Sequence, residues 1–363
     1  MASFSVRTPG HEYRCLVSRG ALHSLPGEIP AKAGAVFVVT TADVWQHHGA
    51  AFTAAMQGKM FQTLLFPGGE ERKRMAEVEA LAERMVELGA DRSSIVIAFG
   101  GGIVGDLGGF LAAVFMRGIP VIQVPTTLLA QVDAAIGGKT GANLVRGKNL
   151  VGAFHQPLAV VIDPELLDTL PAREYRAGLY EVIKYGIIRS PRLFDRLEKE
   201  ADKVLRLEGE IVEDMIAESV KIKAEVVSAD EKEGGIRRIL NFGHTIGHAL
   251  EAETAYSRLL HGEAVAFGMR AVNHLARLMG ILSSPACERM NACIDSYGPI
   301  PAIGDIAPER LLARLVSDKK TIQGRVHFVL AEEVGTVRVT SGVDEKLVRE
   351  ATAIALGELA PVA

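Results

Sequence analysis

At residues 94–106 the chain runs Ser94-Ile95-Val96-Ile97-Ala98-Phe99-Gly100-Gly101-Gly102-Ile103-Val104-Gly105-Asp106. This stretch predicts a buried strand, a glycine turn and the start of an apolar helix over 107–115. In that geometry backbone N–H groups and the helix dipole can meet a pyrophosphate, and glycine lets the phosphate approach the main chain. The stretch therefore favours a dinucleotide site. The alternative is a tight turn that serves packing alone.

Apolar runs on both sides of the turn extend the pattern. Runs at 35–39, 121–124 and 159–162 predict strands, and 77–88 predicts a helix. Continuous apolar strands that alternate with helices indicate a parallel sheet covered on both faces. The acidic residue that usually follows the glycine turn after about twenty positions, to hold the ribose, is absent here. Asp43 and Glu70 are the candidates for that contact.

The second half of the chain changes character after Leu170-Pro171. Helices are predicted at 174–188, 208–227, 244–253 and 263–279, and a hairpin at 326–330 and 336–339. We predict an α/β fold with two domains. A Rossmann-like parallel-sheet domain covers 1–171, and a mostly α-helical domain follows at 172–363.

Composition, charge and cysteine spacing limit the classes of protein to which this chain can belong. The chain has 363 residues, 48% of them hydrophobic, and a net charge of −4 with Lys and Arg scattered along it. Scattered cations argue against nucleic acid as a partner. Cys15, Cys287 and Cys293 have no metal-binding spacing, which suits a reducing cytosol. Neither an export signal nor a membrane-spanning run is predicted. We expect a cytoplasmic protein that acts on small solutes, away from membranes.

Histidines predict a metal site in the second half. His244 and His248 lie one helical turn apart, Glu251 shares their helix face, and His261 follows. Two histidines and one carboxylate form a common catalytic zinc set. The best carboxylate is Glu181, because residues 177–186 are apolar almost all round, where a buried acid needs a metal or a cation. A simple ion pair with Lys184 is the alternative.

One further charge is expected to be buried. Helical arithmetic puts Lys223 in the middle of an apolar stripe, so this lysine should be paired or functional. Residues 230–237, just before the histidine helix, contain several acidic residues and Arg237. A charged run of this kind usually forms a solvent-exposed loop, which is the alternative to a functional site.

These residues together resemble the dehydroquinate synthase family of sugar-phosphate cyclases. The similarity runs from Pro67-Gly68-Gly69-Glu70 to Ser317-Asp318-Lys319-Lys320. The matching motifs, in order, are Gly100-Gly101-Gly102-x-x-Gly105-Asp106-x-x-Gly109-Phe110, Arg117-Gly118, Pro125-Thr126-Thr127-Leu128-Leu129-Ala130, Asp133, Gly137-Gly138-Lys139-Thr140, Gly147-Lys148-Asn149, Ala177-Gly178-x-x-Glu181-x-x-Lys184 and Leu240-Asn241-x-Gly243-His244-Thr245-x-Gly247-His248.

The resemblance implies a phosphorus–oxygen lyase of the shikimate pathway, holding NAD and one divalent metal, zinc or cobalt. Such an enzyme converts 3-deoxy-D-arabino-heptulosonate 7-phosphate to 3-dehydroquinate and phosphate. The metal would acidify substrate hydroxyls so that C5 surrenders hydride to NAD. The new ketone would acidify the C6 hydrogen, phosphate would leave, and the hydride would return before an intramolecular aldol closure. NAD would be recycled.

The resemblance also implies residue roles. The metal ligands would be Glu181, His244 and His261, leaving His248 to handle substrate and protons. NAD contacts would be Glu70, Lys73, Gly102, Gly105, Asp106, Thr126, Thr127, Lys139, Lys148, Leu166 and Thr169. Substrate contacts would be Asp133, Lys139, Asn149, Lys184, Lys223, Arg237, Asn241, His248, Lys320 and Arg117, the last supplied across the interface of a homodimer.

Departures and rivals remain. The loop Thr40-Thr41-Ala42-Asp43 matches loosely, and Tyr180 stands where a small residue is expected. The nearest rival is another sugar-phosphate cyclase, such as a valiolone or inosose synthase, but Arg237, Asn241 and Lys320 favour a substrate that carries both carboxylate and phosphate. A metal-dependent polyol dehydrogenase and an inactive dinucleotide-binding scaffold are the further alternatives.

Overall fold

The computed structural model describes residues 1–317 and 326–359. Lys320 therefore lies outside the described residues. The strands are β1 (Ala2–Thr8), β2 (His11–Val17), β3 (Val36–Thr40), β4 (Gln62–Leu65), β5 (Ile95–Gly100), β6 (Val121–Pro125), β7 (Lys139–Leu144), β8 (Gly147–Phe154), β9 (Ala159–Ile162), β10 (His327–Glu333) and β11 (Thr336–Ser341).

The α-helices are α1 (Leu25–Glu28), α2 (Ala42–Ala55), α3 (Met75–Glu87), α4 (Gly102–Val114), α5 (Ala172–Arg189), α6 (Pro191–Lys199), α7 (Ala201–Leu205), α8 (Gly209–Ala229), α9 (His244–Glu253), α10 (His261–Leu278), α11 (Ser284–Ser296), α12 (Pro308–Ser317) and α13 (Glu345–Glu358). No helix in the described ranges is both long enough and apolar enough to cross a membrane.

The chain forms two compact units. The first comprises Met1–Pro171 and Gly209–Glu231, and the second comprises Ala172–Glu208 and Lys232–Ala363. The domain boundary predicted after Pro171 coincides with the end of the segment Met1–Pro171 of the first unit. Helix α8 belongs with the first unit, where it packs against β1 and β2, although the sequence analysis grouped it with the helices of the second.

A seven-stranded sheet forms the centre of the first unit, in the order β1-β2-β9-β6-β5-β3-β4. All neighbouring pairs are parallel except β1 with β2. The predicted Rossmann-like α/β class is confirmed. Counted in chain order, β3, β4, β5, β6 and β9 stand in the doubly wound order 2-1-3-4-5, which reverses direction between β3 and β5. Ligands of such sheets bind at the carboxyl ends of the strands where the order reverses.

Two apolar clusters cover the two faces of this sheet. Phe52 and Ala55 of α2 pack on one face, and Val78 of α3 and Leu107 of α4 pack on the other. Every residue of β3, β5, β6 and β9 is buried, and these strands are apolar except for Thr40 in β3 and Gln123 in β6. A separate hairpin of β7 and β8 belongs to the same unit.

The second unit is helical, with one antiparallel hairpin of β10 and β11. Helix α10 is its central element and contacts α5, α9, α11 and α13. Nearly all of α10 is buried, since fifteen of its eighteen residues are withdrawn from solvent.

Candidate active site

Three imidazoles converge in the second unit. Helix α9 begins at His244, His248 follows one turn later, and His261 is the first residue of α10. Ring centroids are 5.3 Å apart for His244 and His248, 5.3 Å for His244 and His261, and 5.7 Å for His248 and His261. One nitrogen of each ring lies within 4.8 Å of the other two. The spacing seen in the sequence thus produces a true cluster.

A buried carboxylate faces two of these rings. Glu181 of α5 is fully buried, and its Oε1 lies 3.3 Å from His244 Nε2 and 3.7 Å from His261 Nε2. Its other oxygen forms an ion pair with Lys184, one turn along the helix. The ion pair with Lys184, which the sequence analysis gave as the alternative to a metal, is present, and it leaves Oε1 directed at the imidazoles.

Glycines bring the three helices close enough for this convergence. A Cβ at Gly268 of α10 would lie 1.9 Å from the carbonyl oxygen of Gly243, just before α9. A Cβ at Gly262 would lie 1.8 Å from the carbonyl oxygen of Ala177 on α5. Side chains cannot fit at either point, so α10 touches the backbones of both neighbours. Gly243 also has a φ of 79°, which favours glycine.

The donor atoms of Glu181, His244 and His261 fit a divalent metal. Zinc bonds to imidazole nitrogen and carboxylate oxygen at about 2.0–2.1 Å, so two donors in tetrahedral arrangement are about 3.4 Å apart. The distances from Glu181 Oε1 to the two Nε2 atoms are 3.3 and 3.7 Å. Burial lowers the pKa of His244, which keeps its imidazole in the neutral form that binds metals. His244 Nδ1 meanwhile lies 3.1 Å from the Phe242 carbonyl oxygen, which leaves Nε2 for an ion.

The glycine turn of the first unit fits a nucleotide phosphate. Helix α4 begins at Gly102, directly after β5. A Cβ at Gly101 would lie 3.0 Å from Thr127 Cγ2, and one at Gly105 would lie 2.9 Å from Gln123 Oε1. Glycine at these two positions therefore lets Thr127 and Gln123 pack against the backbone at the start of α4. The N–H groups of this first turn and the helix dipole favour an anion. The turn lies where the strand order reverses.

Charged side chains gather around Lys73 in the first unit. This lysine is only 2% exposed, forms an ion pair with Asp106, and donates a hydrogen bond of 2.6 Å to Asn149 Oδ1. Burial raises the pKa of Asp106, and the Lys73 ammonium opposes that shift. Asn143, which the sequence analysis did not single out, joins Glu70 to Asn149 through bonds of 2.7 and 2.8 Å. Lys148 lies 3.9 Å from Glu70.

Other predicted nucleotide contacts occupy the same unit. The Thr126 amide donates to the Gly100 carbonyl at 3.0 Å, which fixes the loop after β6 beside the glycine turn. Thr169 Oγ1 lies 2.8 Å from Nε2 of His48, a residue that the sequence analysis missed because a single buried histidine on a helix gives no functional signal. Leu166 is buried, whereas Asp43 is exposed at the start of α2.

The predicted substrate residues divide between the units. In the first, Lys223 pairs with Asp133, while Lys139 on β7 and Arg117 are exposed. In the second, Lys184 pairs with Glu181, Arg237 is 2% exposed, and Asn241 donates a hydrogen bond to Glu233. Arg237 is thus withdrawn from solvent although it follows a charge run.

Comparison with known proteins agrees with the resemblance. Family models described as 3-dehydroquinate synthase N-terminal and C-terminal match residues 63–177 and 178–321. A 3-dehydroquinate synthase of Solibacter usitatus is 62% identical over 98% of this chain and its own whole length. This chain belongs to the 3-dehydroquinate synthase family. The 3-dehydroquinate synthase of Koribacter versatilis is 48% identical over 95% of this chain and 96% of its own.

Solved structures place the family among the sugar-phosphate cyclases. A 2-epi-5-epi-valiolone synthase from Streptomyces hygroscopicus with NAD+ and Zn2+ bound has a TM-score of 0.88 and 29% identity, covering 97% of this chain and 98% of its own. A 2-deoxy-scyllo-inosose synthase complexed with carbaglucose-6-phosphate, NAD+ and Co2+ has a TM-score of 0.86 and 26% identity, with 97% and 99% covered. The 3-dehydroquinate synthase family thus shares its fold with NAD- and metal-bound cyclases.

Proposed function

We propose that this chain converts 3-deoxy-D-arabino-heptulosonate 7-phosphate to 3-dehydroquinate and phosphate. The observation that carries this is the 62% identity to a 3-dehydroquinate synthase over the full length, against 29% and 26% for the two cyclases of other specificity. Because elimination of phosphate breaks a carbon–oxygen bond of the substrate, the enzyme is a carbon–oxygen lyase and not the phosphorus–oxygen lyase named in the sequence analysis. It belongs to the shikimate pathway and depends on NAD and a divalent metal. Its substrate class is a sugar phosphate.

Glu181, His244 and His261 would hold the metal, supported by their donor distances and burial. Glu70, Lys73, Gly102, Gly105, Asp106, Thr126, Thr127, Lys139, Lys148, Leu166 and Thr169 would hold NAD. When bound, the two groups supply hydroxyl polarisation and a hydride acceptor that is restored within each turnover. Oxidation and re-reduction balance, so the net change is ring formation with release of inorganic phosphate.

The remaining polar residues would bind the substrate and move its protons. Cations suit a dianionic phosphate and a carboxylate, and hydrogen bonds to such anions are charge-assisted. Lys184, Lys223, Arg237 and Lys320 would supply that charge. Asp133, Asn149 and Asn241 would orient substrate hydroxyls through acceptor oxygens. His248, which belongs to the imidazole cluster, would carry a proton to or from the substrate.

We further propose a cytoplasmic homodimer in which Arg117 reaches the substrate of the partner subunit. The motif Arg117-Gly118 and the exposure of Arg117 support this, and the free buried thiols of all three cysteines suit a reducing compartment. Mixing an Arg117→Ala variant with a His261→Ala variant tests the shared site. Partial recovery of activity from two inactive proteins is the expected result, and none would count against it.

The decisive experiment for the reaction combines purified protein, NAD, Zn2+ and the heptulosonate phosphate. Inorganic phosphate should appear in a one-to-one ratio with dehydroquinate, while absorbance of free NADH stays flat. Accumulating NADH would select the polyol dehydrogenase. Turnover of glucose 6-phosphate instead of the heptulosonate would select another cyclase.

A further inference from the structure

Glu251 is a buried acid without an assigned role beside the imidazole cluster. It lies on the same face of α9 as His244 and His248, and it is 4% exposed. Its Oε2 lies 3.3 Å from His261 Nδ1 and 4.0 Å from His248 Nε2. One carboxylate oxygen therefore lies between two rings of the cluster.

The two imidazoles that face Glu181 differ in how they are held. The side chain of His244 is 10% exposed, and the Phe242 carbonyl lies against its Nδ1. The side chain of His261 is 31% exposed, so packing restrains it less. Its Nδ1 contact is with Glu251. An imidazole that binds a metal through Nε2 carries a hydrogen on Nδ1, and an acceptor for that hydrogen fixes both the tautomer and the ring orientation.

We propose that Glu251 is a positioning residue that orients His261 so that Nε2 faces the metal. The inference rests on the proposed function, because it requires a metal on His261. Nδ1 of His261 donates to Glu251 Oε2, and Nε2 on the opposite side of the ring faces Glu181 Oε1. The negative charge of Glu251 also makes the imidazole a stronger donor to the metal. His248 Nε2 lies 4.0 Å from the same oxygen, beyond hydrogen-bonding distance.

Metal affinity provides the test, measured by competition with a chromophoric zinc chelator on the full chain without substrate. Glu251→Leu removes the acceptor and should weaken zinc binding by about 10–100-fold. Glu251→Gln keeps an acceptor oxygen but loses the charge, so it should recover only part of that loss and bind zinc clearly more weakly than the wild type. The ligand-field spectrum of the Co2+ form should shift in Glu251→Leu, because a reoriented His261 changes the coordination geometry.

Glu253→Gln is the matched control. Glu253 lies two residues further along α9, its side chain is 5% exposed, and it pairs with Arg310 and Arg314 instead of imidazoles. Its variant should bind zinc like the wild type. If Glu251→Leu does not fold, the comparison of Glu251→Gln with Glu253→Gln decides, and equal zinc affinity and equal Co2+ spectra overturn the proposal. A wild-type chain that binds no zinc would instead refute the proposed metal site itself.

Discussion

The Nζ atom of Lys223 lies 2.6 Å from the carbonyl oxygen of Asp133 and 2.7 Å from its Oδ1. Lys223 belongs to α8, and Asp133 belongs to a short π-helical turn at Ala130–Ala134. Both lie in the first unit, ninety positions apart in sequence. A long-range contact thus ties α8 to the loop that follows β6.

Replacing Lys223 by Met should impair both folding and turnover. Loss of a charge-assisted partner for Asp133 should lower the free energy of unfolding by about 1–3 kcal/mol. Because Lys223 is also a proposed substrate contact, kcat/KM should fall by about 100-fold or more. Lys221→Met, an exposed lysine on the same helix, is the control for denaturant unfolding and phosphate-release assays. Wild-type kcat/KM in Lys223→Met would remove this residue from the substrate site.

Glu181→Gln and His248→Gln should separate metal binding from proton handling. Glu181→Gln weakens the charge of the proposed ligand set, so its bound zinc, measured by atomic absorption after dialysis, should fall well below one per chain. His248→Gln should keep its zinc while kcat falls by about 10²–10⁴-fold, the usual contribution of a general acid or base. The reverse pattern would make His248 the third ligand.

Lys73→Met should weaken NAD binding. The variant leaves Asp106 and Asn149 without their shared donor and removes a buried cation beside the glycine turn. We expect an NAD dissociation constant, measured by calorimetry, at least about tenfold higher, or about 1.4 kcal/mol. Lys59→Met, which changes an exposed lysine, should bind NAD normally. Equal affinities in the two variants would contradict the role of Lys73.

Gly268→Ala should loosen the helix contact that brings the metal donors together. The new Cβ would lie 1.9 Å from the Gly243 carbonyl oxygen, so α9 and α10 must separate. Overpacking of this kind costs about 1–3 kcal/mol or more. Gly357→Ala is a control of opposite sign, because nothing lies within 4 Å of its Cβ and a helical Ala stabilises. The melting temperature and the zinc affinity should both fall in Gly268→Ala, and neither should fall in Gly357→Ala.

Stability should respond to pH through His274. Burial alone would lower the pKa of His274, but hydrogen bonds to Cys287 and Glu358 outweigh it and raise the pKa to about 9. The folded state therefore favours the imidazolium, so its stabilisation is complete below the ordinary value of 6.5 and is lost as the pH rises through about 9. Glu358→Gln should lower Tm more at pH 6 than at pH 10. Glu350→Gln, at an exposed position of α13, should show no such difference.

Much of the fold was predictable because buried strands and amphipathic helices leave strong local patterns. The strand at Ala159–Ile162 and the helix at His244–Glu253 have the predicted bounds. The hairpin of β7 and β8 was not predicted, since its glycines and polar residues break the apolar alternation. The placement of α8 could not be read either, because an apolar stripe does not specify which partner covers it.

The site residues that could be predicted are those whose charged side chains lie in apolar stretches of sequence. Glu181 and Lys223 stood out as charges in apolar surroundings, and both are buried and paired in the structure. Their partners differ in predictability: Lys184 lies one turn away, whereas Asp133 is ninety residues distant and needed the fold. Glu251 was recognised on the histidine face, but only coordinates reveal its 3.3 Å contact with His261.

Gly262 and Gly268 have a consequence for metal exchange. Because α10 meets α5 and α9 backbone to backbone at these two points, the helices cannot slide to suit ions of different radius. The site must then adjust to zinc or cobalt by rotating the Glu181 carboxylate and the partly exposed His261 ring. Exchange of one ion for the other should therefore leave the main-chain positions of these helices unchanged.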